Sequence, residues 1–311
     1  MAVNDNVSPV AAFDSVLAEF LHEDEASVSL SPLYQGNLAD SPRIFVVRVR
    51  KERPCAVVLC SPEAAPKIVG RAMYRAVECQ KRVGPALGRR IVQPLAQGRI
   101  DECTYAVLPY CYPLSDFRPV WCLQRHLLRP ALSEWLLQLA AVTVVAPTSP
   151  QLEAHFEKPL AALATLDAAS ARLRSAARSA MNRLQSGAWS PKHALMHGDV
   201  WKNNVMVRAP LLTEADRWED RLVLIDWAGA RVDGYPMFDL VRALRSFHYS
   251  GRDAREQLLL HCDVLDCEPA DISSHLCAAL AFHYAHLDEW PLPRFLRMSE
   301  ACLDTIDGVE F

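Results

Sequence analysis

The sequence predicts an α+β chain in two lobes, a small β-rich lobe over residues 1–112 and a larger helical lobe over 113–311. Three observations predict it. Short runs rich in β-branched residues crowd the first 110 positions, and long helix-spaced runs fill most of the chain after Tyr112-Pro113. One β-rich island, KHALMHGDVWKNNVMV and then RLVLIDWAG, interrupts those helices.

Residues 10–21 open with helical spacing, Phe13, Val16, Leu17 and Phe20 falling on one face. The period then changes: SVSLSPLY, RIFVVRVR and CAVVLC are separated by QGNLADSP and KERP, which contain turn formers, so three consecutive antiparallel strands are expected. Pro62 and the Ala-rich stretch behind it open a helix to about Arg82, and VQPLAQGRI and CTYAVLPYC supply two more strands. The first 110 residues thus read as a five-stranded sheet carrying one helix. Beyond Pro113, helices are predicted over 121–145, over 151–186 as a single run, and over most of 236–305.

Composition excludes several classes. Thirty-three Lys+Arg against 37 Asp+Glu leave a net charge of −4, so no phosphate-backbone footprint dominates and nucleic acid is not an expected partner. No spacing among the 11 glycines forms GxGxxG or GxxxxGK[ST], which removes the dinucleotide fingerprint and the Walker-type loop. The 10 cysteines include no CxxC pair and read as reduced, mostly buried thiols. The uncharged span from Trp135 to Leu152 is cut by Pro147 and Pro150, so a buried helix is expected there and no membrane span. An acidic N-terminus where a signal peptide would be basic points to the cytoplasm.

The chemistry lies in His197-Gly198-Asp199 followed five positions later by Asn204, and in Asp226, which closes the apolar run LVLI. From the chain's own counts, HGDxxxxN arises by chance roughly 4 times in 10,000 such chains. NVMV and RLVLI read as the arms of a hairpin around the polar loop LLTEADRWED, whose midpoint near 215 makes Asn204 and Asp226 cross-strand neighbours with Asp199 just upstream. A carboxylate and a carboxamide converging on one point suit Mg²⁺, leaving an unattached Asp199 as base.

This arrangement matches phosphoryl transfer as protein kinases perform it. HGDVWKNN with IDWAGARVDGYPMFDL resembles the aminoglycoside phosphotransferase and choline kinase superfamily, its choline-kinase-like branch most of all. The resemblance implies a protein-kinase-like fold and a small-molecule kinase. That enzyme moves the γ-phosphate of ATP or GTP to a hydroxyl of an aminoglycoside, choline-like amine or sugar. It implies Asp199 as base, Asn204 and Asp226 as Mg²⁺ ligands, and His197 and Asp239 as supports of the catalytic loop. Lys202 either meets the transferred phosphate or is a solvated loop lysine.

In the first lobe the resemblance implies a nucleotide-covering turn at Tyr34-Gln35-Gly36-Asn37, a helix glutamate at Glu78, and an adenine-holding connector through Pro109, Tyr110 and Tyr112. The family's third-strand Lys is missing, since alignment puts Cys60 in its place, so phosphate neutralisation falls to Arg48 or Arg50, to Lys67, or to nothing. A catalytically weak or inactive kinase-fold binding module is therefore the competing reading. Acids and aromatics of the helical lobe (Asp263, Asp266, Glu268, Asp271, Glu289, Phe282, Tyr284 and Trp290) are the candidates for a cationic acceptor site.

Overall fold

The computed structural model describes residues 28–35, 41–50, 53–209, 218–287 and 291–309. The helix expected at 10–21, Gly36 and Asn37 of the covering turn, and Glu289 and Trp290 lie outside the described residues.

Strands β1 (Val28–Gln35), β2 (Arg43–Val49), β3 (Pro54–Cys60), β4 (Ala96–Ile100) and β5 (Cys103–Pro109) form one antiparallel sheet in the order β1-β2-β3-β5-β4. Because side chains alternate along a strand, the sheet sorts its residues into two faces. Val47, Ala56, Val58, Cys60 and Val107 pack together on one face. Leu59, Ala106 and Leu108 occupy the other, against Val69 and Met73 of helix α1 (Ile68–Gly88).

Helix α1 starts six residues after the predicted opening at Pro62. Residues 61–67 form turns instead, and the helix start is capped from outside: the Val69 and Gly70 amides donate to Ser61 Oγ (3.1 Å) and Thr104 Oγ1 (3.0 Å). It also runs past Arg82, and Gly84 at φ 75° breaks its last turns just before Pro85.

The chain then enters β6 (Tyr112–Pro113) and α2 (Arg118–Thr143). The single helix predicted over 151–186 is two. A π segment, Leu152–Glu157, leads into α3 (Lys158–Ala164), and α4 (Ala171–Gln185) begins afresh where Ser170 accepts the Leu173 amide at 3.0 Å. A serine hydroxyl satisfying a free helix amide is a start signal that the apolar spacing alone does not carry.

The island contributes β7 (Ala194–Met196), β8 (Val205–Val207), β9 (Leu222–Leu224) and β10 (Arg231–Gly234). The expected hairpin is β8–β9, with β6 on its outer edge, while β7 pairs with β10. Helices α5 (Phe238–Ser246), α6 (Gly251–Leu265), α7 (Ile272–Ala285) and α8 (Leu292–Asp307) complete the lobe. No helix among the described residues is long and apolar enough to cross a membrane.

One core lies wholly in the helical lobe, around Phe156, Trp189, Phe238 and Phe295. A second joins Ala76 and Cys79 of α1 to Leu132 and Trp135 of α2 and to Val205, Leu224 and Trp227 of the hairpin region. The segment after α1 continues that contact, since Ile91 bridges Leu224 and the Leu224 amide donates to Arg90 O at 2.8 Å. Helix α1 is thus held against the turn that carries Asp226.

Candidate active site

The catalytic loop leaves β7 at Met196 and turns at Gly198, whose φ is 89° and whose added Cβ would stand 3.0 Å from Gly229 O. Both the left-handed backbone and the close approach require glycine there. Buried Asp239, in the first turn of α5, holds the turn from below. Its carboxylate accepts the His197 amide at 2.5 Å and the Gly198 amide at 3.0 Å. Burial pushes the Asp239 carboxyl above its ordinary range, while the two amides it accepts pull the other way.

His197 joins the loop to the hairpin. Its Nε2 lies 2.8 Å from Ile225 O and its Nδ1 accepts the Asp199 amide at 3.2 Å, so the ring carries its proton on Nε2. The imidazole packs edge-on against Trp227, 4.6 Å between centroids. With both nitrogens engaged, His197 is a positioning residue.

Asp199 is not unattached. Arg242 Nη2 stands 2.6 Å from its Oδ1, and Asn204 Nδ2 donates to its Oδ2 and to its main-chain carbonyl, each at 2.9 Å. Arg242 follows Asp239 by three residues on α5 and so faces the same loop, a helical spacing that could have revealed it in the sequence. Since Asn204 spends its NH₂ on Asp199, its Oδ1 is the atom left to meet a cation.

The hairpin register is one step from the expected one. Val205 pairs with Leu224, and the Ile225 amide donates to Asn204 O at 3.0 Å, so Ile225 is the cross-strand neighbour and Asp226 is the next residue. Asp226 leaves the strand at φ 62°, ψ 66°, a conformation that aspartate tolerates better than most residues, and this turns the chain into the short 3₁₀ segment Trp227–Gly229. It is open to the cleft between the lobes, yet the surrounding protein pushes its carboxyl above the ordinary range, through desolvation first and the negative charge of Asp199 next, with the Ala228 amide opposing.

Asp199 and Asp226 line one cavity of about 280 Å³, with Gly198, Ala228 and Gly229 on its loop side and Arg231, Phe282, His283 and His286 on the helical side. Arg75 of α1 reaches the same cavity and donates to Ala228 O. Arg231 lies over the Phe282 ring at 4.5 Å and pairs with Asp233 at 2.9 Å. Burial pulls His283 down to about 4, so it is neutral at pH 7.

Other expected site residues lie elsewhere. Lys202 pairs with Asp116 at 2.5 Å and sits 5.1 Å from the Trp121 ring, outside the cavity lining. Cys60 points to the sheet face opposite α1; the helix-facing residue beside it is Leu59. Glu78 is exposed and accepts from Tyr74 Oη at 3.0 Å. Arg48 donates to Ser31 Oγ at 2.6 Å near the β2–β3 turn, five residues and so about 17 Å of strand from the β1–β2 turn. In the connector Pro109 pairs with Ala56, the Tyr110 amide donates to Cys55 O at 3.1 Å, and Tyr112 belongs to the edge strand beside Val207. Tyr110 and Tyr112 meet edge to face at 5.1 Å.

The acid-lined acceptor pocket is not assembled among the described residues. Asp271 is buried against Arg183, Asp263, Asp266 and Glu268 are exposed around the end of α6, and Tyr284 packs against Phe295. Of the expected acceptor residues that are described, Phe282 alone lines the cavity. Glu268 and Asp271 form a capping box at the start of the next helical segment, where acids are favoured whatever the function, and Asp266 takes the left-handed turn that ends α6.

A five-stranded sheet with one helix, joined to a helical lobe that carries an HGD loop and a hairpin ending in Asp226, defines a kinase-like phosphotransferase. The family model described as the phosphotransferase enzyme family matches residues 88–262, more than half of the chain, and the chain belongs to that family. Its structure is similar to a thermostable mutant of the aminoglycoside phosphotransferase APH(4)-Ia in ternary complex with AMP-PNP and hygromycin B (15% identity, 96% of this chain and 98% of that one, TM-score 0.56). It is similar also to choline kinase LicA from Streptococcus pneumoniae (15%, 96% and 98%, 0.54) and to a choline/ethanolamine kinase family protein from Mesorhizobium loti (16%, 96% and 93%, 0.51). No curated protein sequence matches the chain.

Proposed function

We propose that this phosphotransferase moves the γ-phosphoryl group of ATP or GTP to a hydroxyl of a small molecule. The observation that carries the reading is the meeting of Asp199 and Asp226 in one cavity, with Asn204 hydrogen-bonded to Asp199.

Asp226 and Asn204 Oδ1 are hard oxygen donors, too few for a closed cage and well matched to Mg²⁺, which takes its remaining ligands from substrate phosphates and water. The raised Asp226 carboxyl fits the same assignment, because a cation held beside it would offset the desolvation that disfavours its charge. Bound Mg²⁺ would neutralise phosphate charge. Asp199, steered by Arg242 and Asn204, orients the acceptor hydroxyl. The acceptor oxygen bonds to the γ-phosphorus as the bond from that phosphorus to the bridging oxygen of ADP breaks, and the hydroxyl proton passes to Asp199. Among the described residues the cavity wall of Phe282, His283, His286 and Arg231 adds no acid to Asp199 and Asp226, so the acceptor is defined here by its hydroxyl.

A second reading, a kinase-fold module that binds nucleotide without turnover, is favoured by one observation: the contact between β3 and α1 is apolar where the family has a Lys–Glu pair. Thermal-shift titration with Mg·ATP and Mg·GTP, followed by ADP release over a panel of alcohols, sugars and amino sugars, separates the two. Stabilisation with turnover on some acceptor supports the enzyme. Stabilisation without turnover supports the module, and no stabilisation removes both. Asp226→Ala should weaken Mg·ATP binding about tenfold or more, the size of a lost charge-assisted contact; equal affinity by calorimetry would remove the metal assignment.

A further inference from the structure

We propose that Arg75 of helix α1 supplies the positive charge for the nucleotide phosphates that the third strand lacks. The inference rests on the phosphotransferase reading and adds to it a residue from another element.

The sheet cannot supply that charge. Positions along β3 that face α1 are Val57 and Leu59, since Val57 lies opposite Val46 and Leu108 and since Leu59 packs with the helix. Shifting the alignment by one residue therefore exchanges Cys60 for a leucine and yields no cation. Arg43 is the register partner of Cys60 and shares its outward face, while Arg48 is spent on Ser31 at the far end of β2. Lys67 lines a groove along α1 with Arg71, Arg99 and Arg75 itself, and of these four Arg75 alone also lines the cavity of Asp199 and Asp226.

Arg75 meets the requirement on three counts. It lines the cavity that holds Asp199 and Asp226. Its guanidinium donates to Ala228 O, two residues beyond Asp226, so it is held beside the turn that carries Asp226. Its next neighbour Ala76 is buried in the same core as Trp227, which fixes the helix against that turn.

Charge pairing separates it from the other arginines of the site. Arg242 is paired with Asp199 and Arg231 with Asp233, whereas among the described residues no carboxylate lies within 4.0 Å of the Arg75 guanidinium. A guanidinium has five N–H donors in a planar fork, so the bond to Ala228 leaves donors for phosphate. Catalysis of phosphoryl transfer depends on charge at the phosphate oxygens and not on the strand that delivers it.

The test compares parent, Arg75→Met and Arg75→Lys, with Arg71→Met as the control, by calorimetry with Mg·ATP and with AMP, by steady-state turnover, and by nucleotide-free melting. For Arg75→Met the expected result is an ATP-to-AMP affinity ratio at least about tenfold lower and kcat/KM about 10²–10³ lower. Arg75→Lys should recover part of both, and Arg71→Met should match the parent. An Arg75→Met protein with the parent's ATP-to-AMP ratio and kcat/KM overturns the assignment, and so does loss of ATP and AMP binding in equal measure, the mark of a structural role. If Arg75→Met does not fold, Arg75→Gln, which keeps a donor for Ala228 O and removes the charge, decides: the parent's ratio and kcat/KM overturn the assignment, and a loss of both sustains it. Failure of the parent itself to bind Mg·ATP would remove the phosphotransferase reading together with this one, whereas a binding parent beside an unaffected variant removes this one alone.

Discussion

The catalytic loop with its hairpin and the five-stranded sheet with α1 face each other across the same cleft, and they hold their side chains by opposite means. In the loop and hairpin, polar groups satisfy one another: Asp239 takes two amides, His197 bridges Asp199 to Ile225, and Asn204 and Arg242 fix the Asp199 carboxylate. Between sheet and helix the contact is apolar, Leu59, Ala106 and Leu108 against Val69 and Met73, beyond the two hydroxyls that cap the start of α1. A charged constellation tolerates little displacement before its hydrogen bonds fail, whereas an apolar interface accepts many sequences of similar volume. The difference teaches that the loop and hairpin depend on particular side chains, whereas the contact between sheet and helix depends on apolar volume.

Replacing the base breaks the comparison most sharply. Asp199→Asn keeps the Asn204 and Arg242 neighbourhood but removes the proton acceptor. Turnover should fall by about 10²–10⁴ while Mg·ATP affinity stays within a few-fold. Undiminished steady-state turnover in the purified variant would take that role from Asp199.

Asp239→Ala should act on the loop alone. Two buried amides lose their acceptor, which costs about 1–3 kcal/mol in a denaturant titration, and kcat falls because Gly198 and Asp199 are no longer held. A variant as stable and as active as the parent would show that the turn is held by something other than this carboxylate.

A smaller effect separates the two regions by pH. No histidine occurs between residues 28 and 112, whereas burial in the helical lobe pulls His261 and His283 down to about 4 from an ordinary 6.5. A depressed histidine contributes stability that is present above its unfolded value and lost as pH falls from 6.5 towards 4. By pH 5 each should have given up roughly 2 kcal/mol. Hydrogen exchange at pH 7 and pH 5 should then reveal loosening in α6 and α7 before the sheet, and His261→Gln should flatten the dependence in α6. Equal loosening of both regions would mean that these histidines do not set the acid response.

Local patterns account for the features legible in the chain alone. Alternation placed the five strands, and the HGDxxxxN and LVLID spacings brought Asp199, Asn204 and Asp226 together to within one residue of hairpin register. Where the structure departs from those patterns, the signal lies in a distant partner. Side chains of Ser61 and Thr104 set the start of α1, the hydroxyl of Ser170 divides the helical run of 151–186, and the salt bridge to Arg242 engages Asp199.

By itself the sequence determined the fold class, the order of its elements and the carboxylates that meet at the cleft. Each of these comes from periodicity or from partners joined through a single short loop. Only the tertiary structure decided which face of the sheet Cys60 occupies, that Leu59 stands beside the helix, and that Arg75 crosses to Ala228. Strand register and helix rotation turn a side chain from one environment to another with a one-residue change, and contacts between elements far apart in sequence set them.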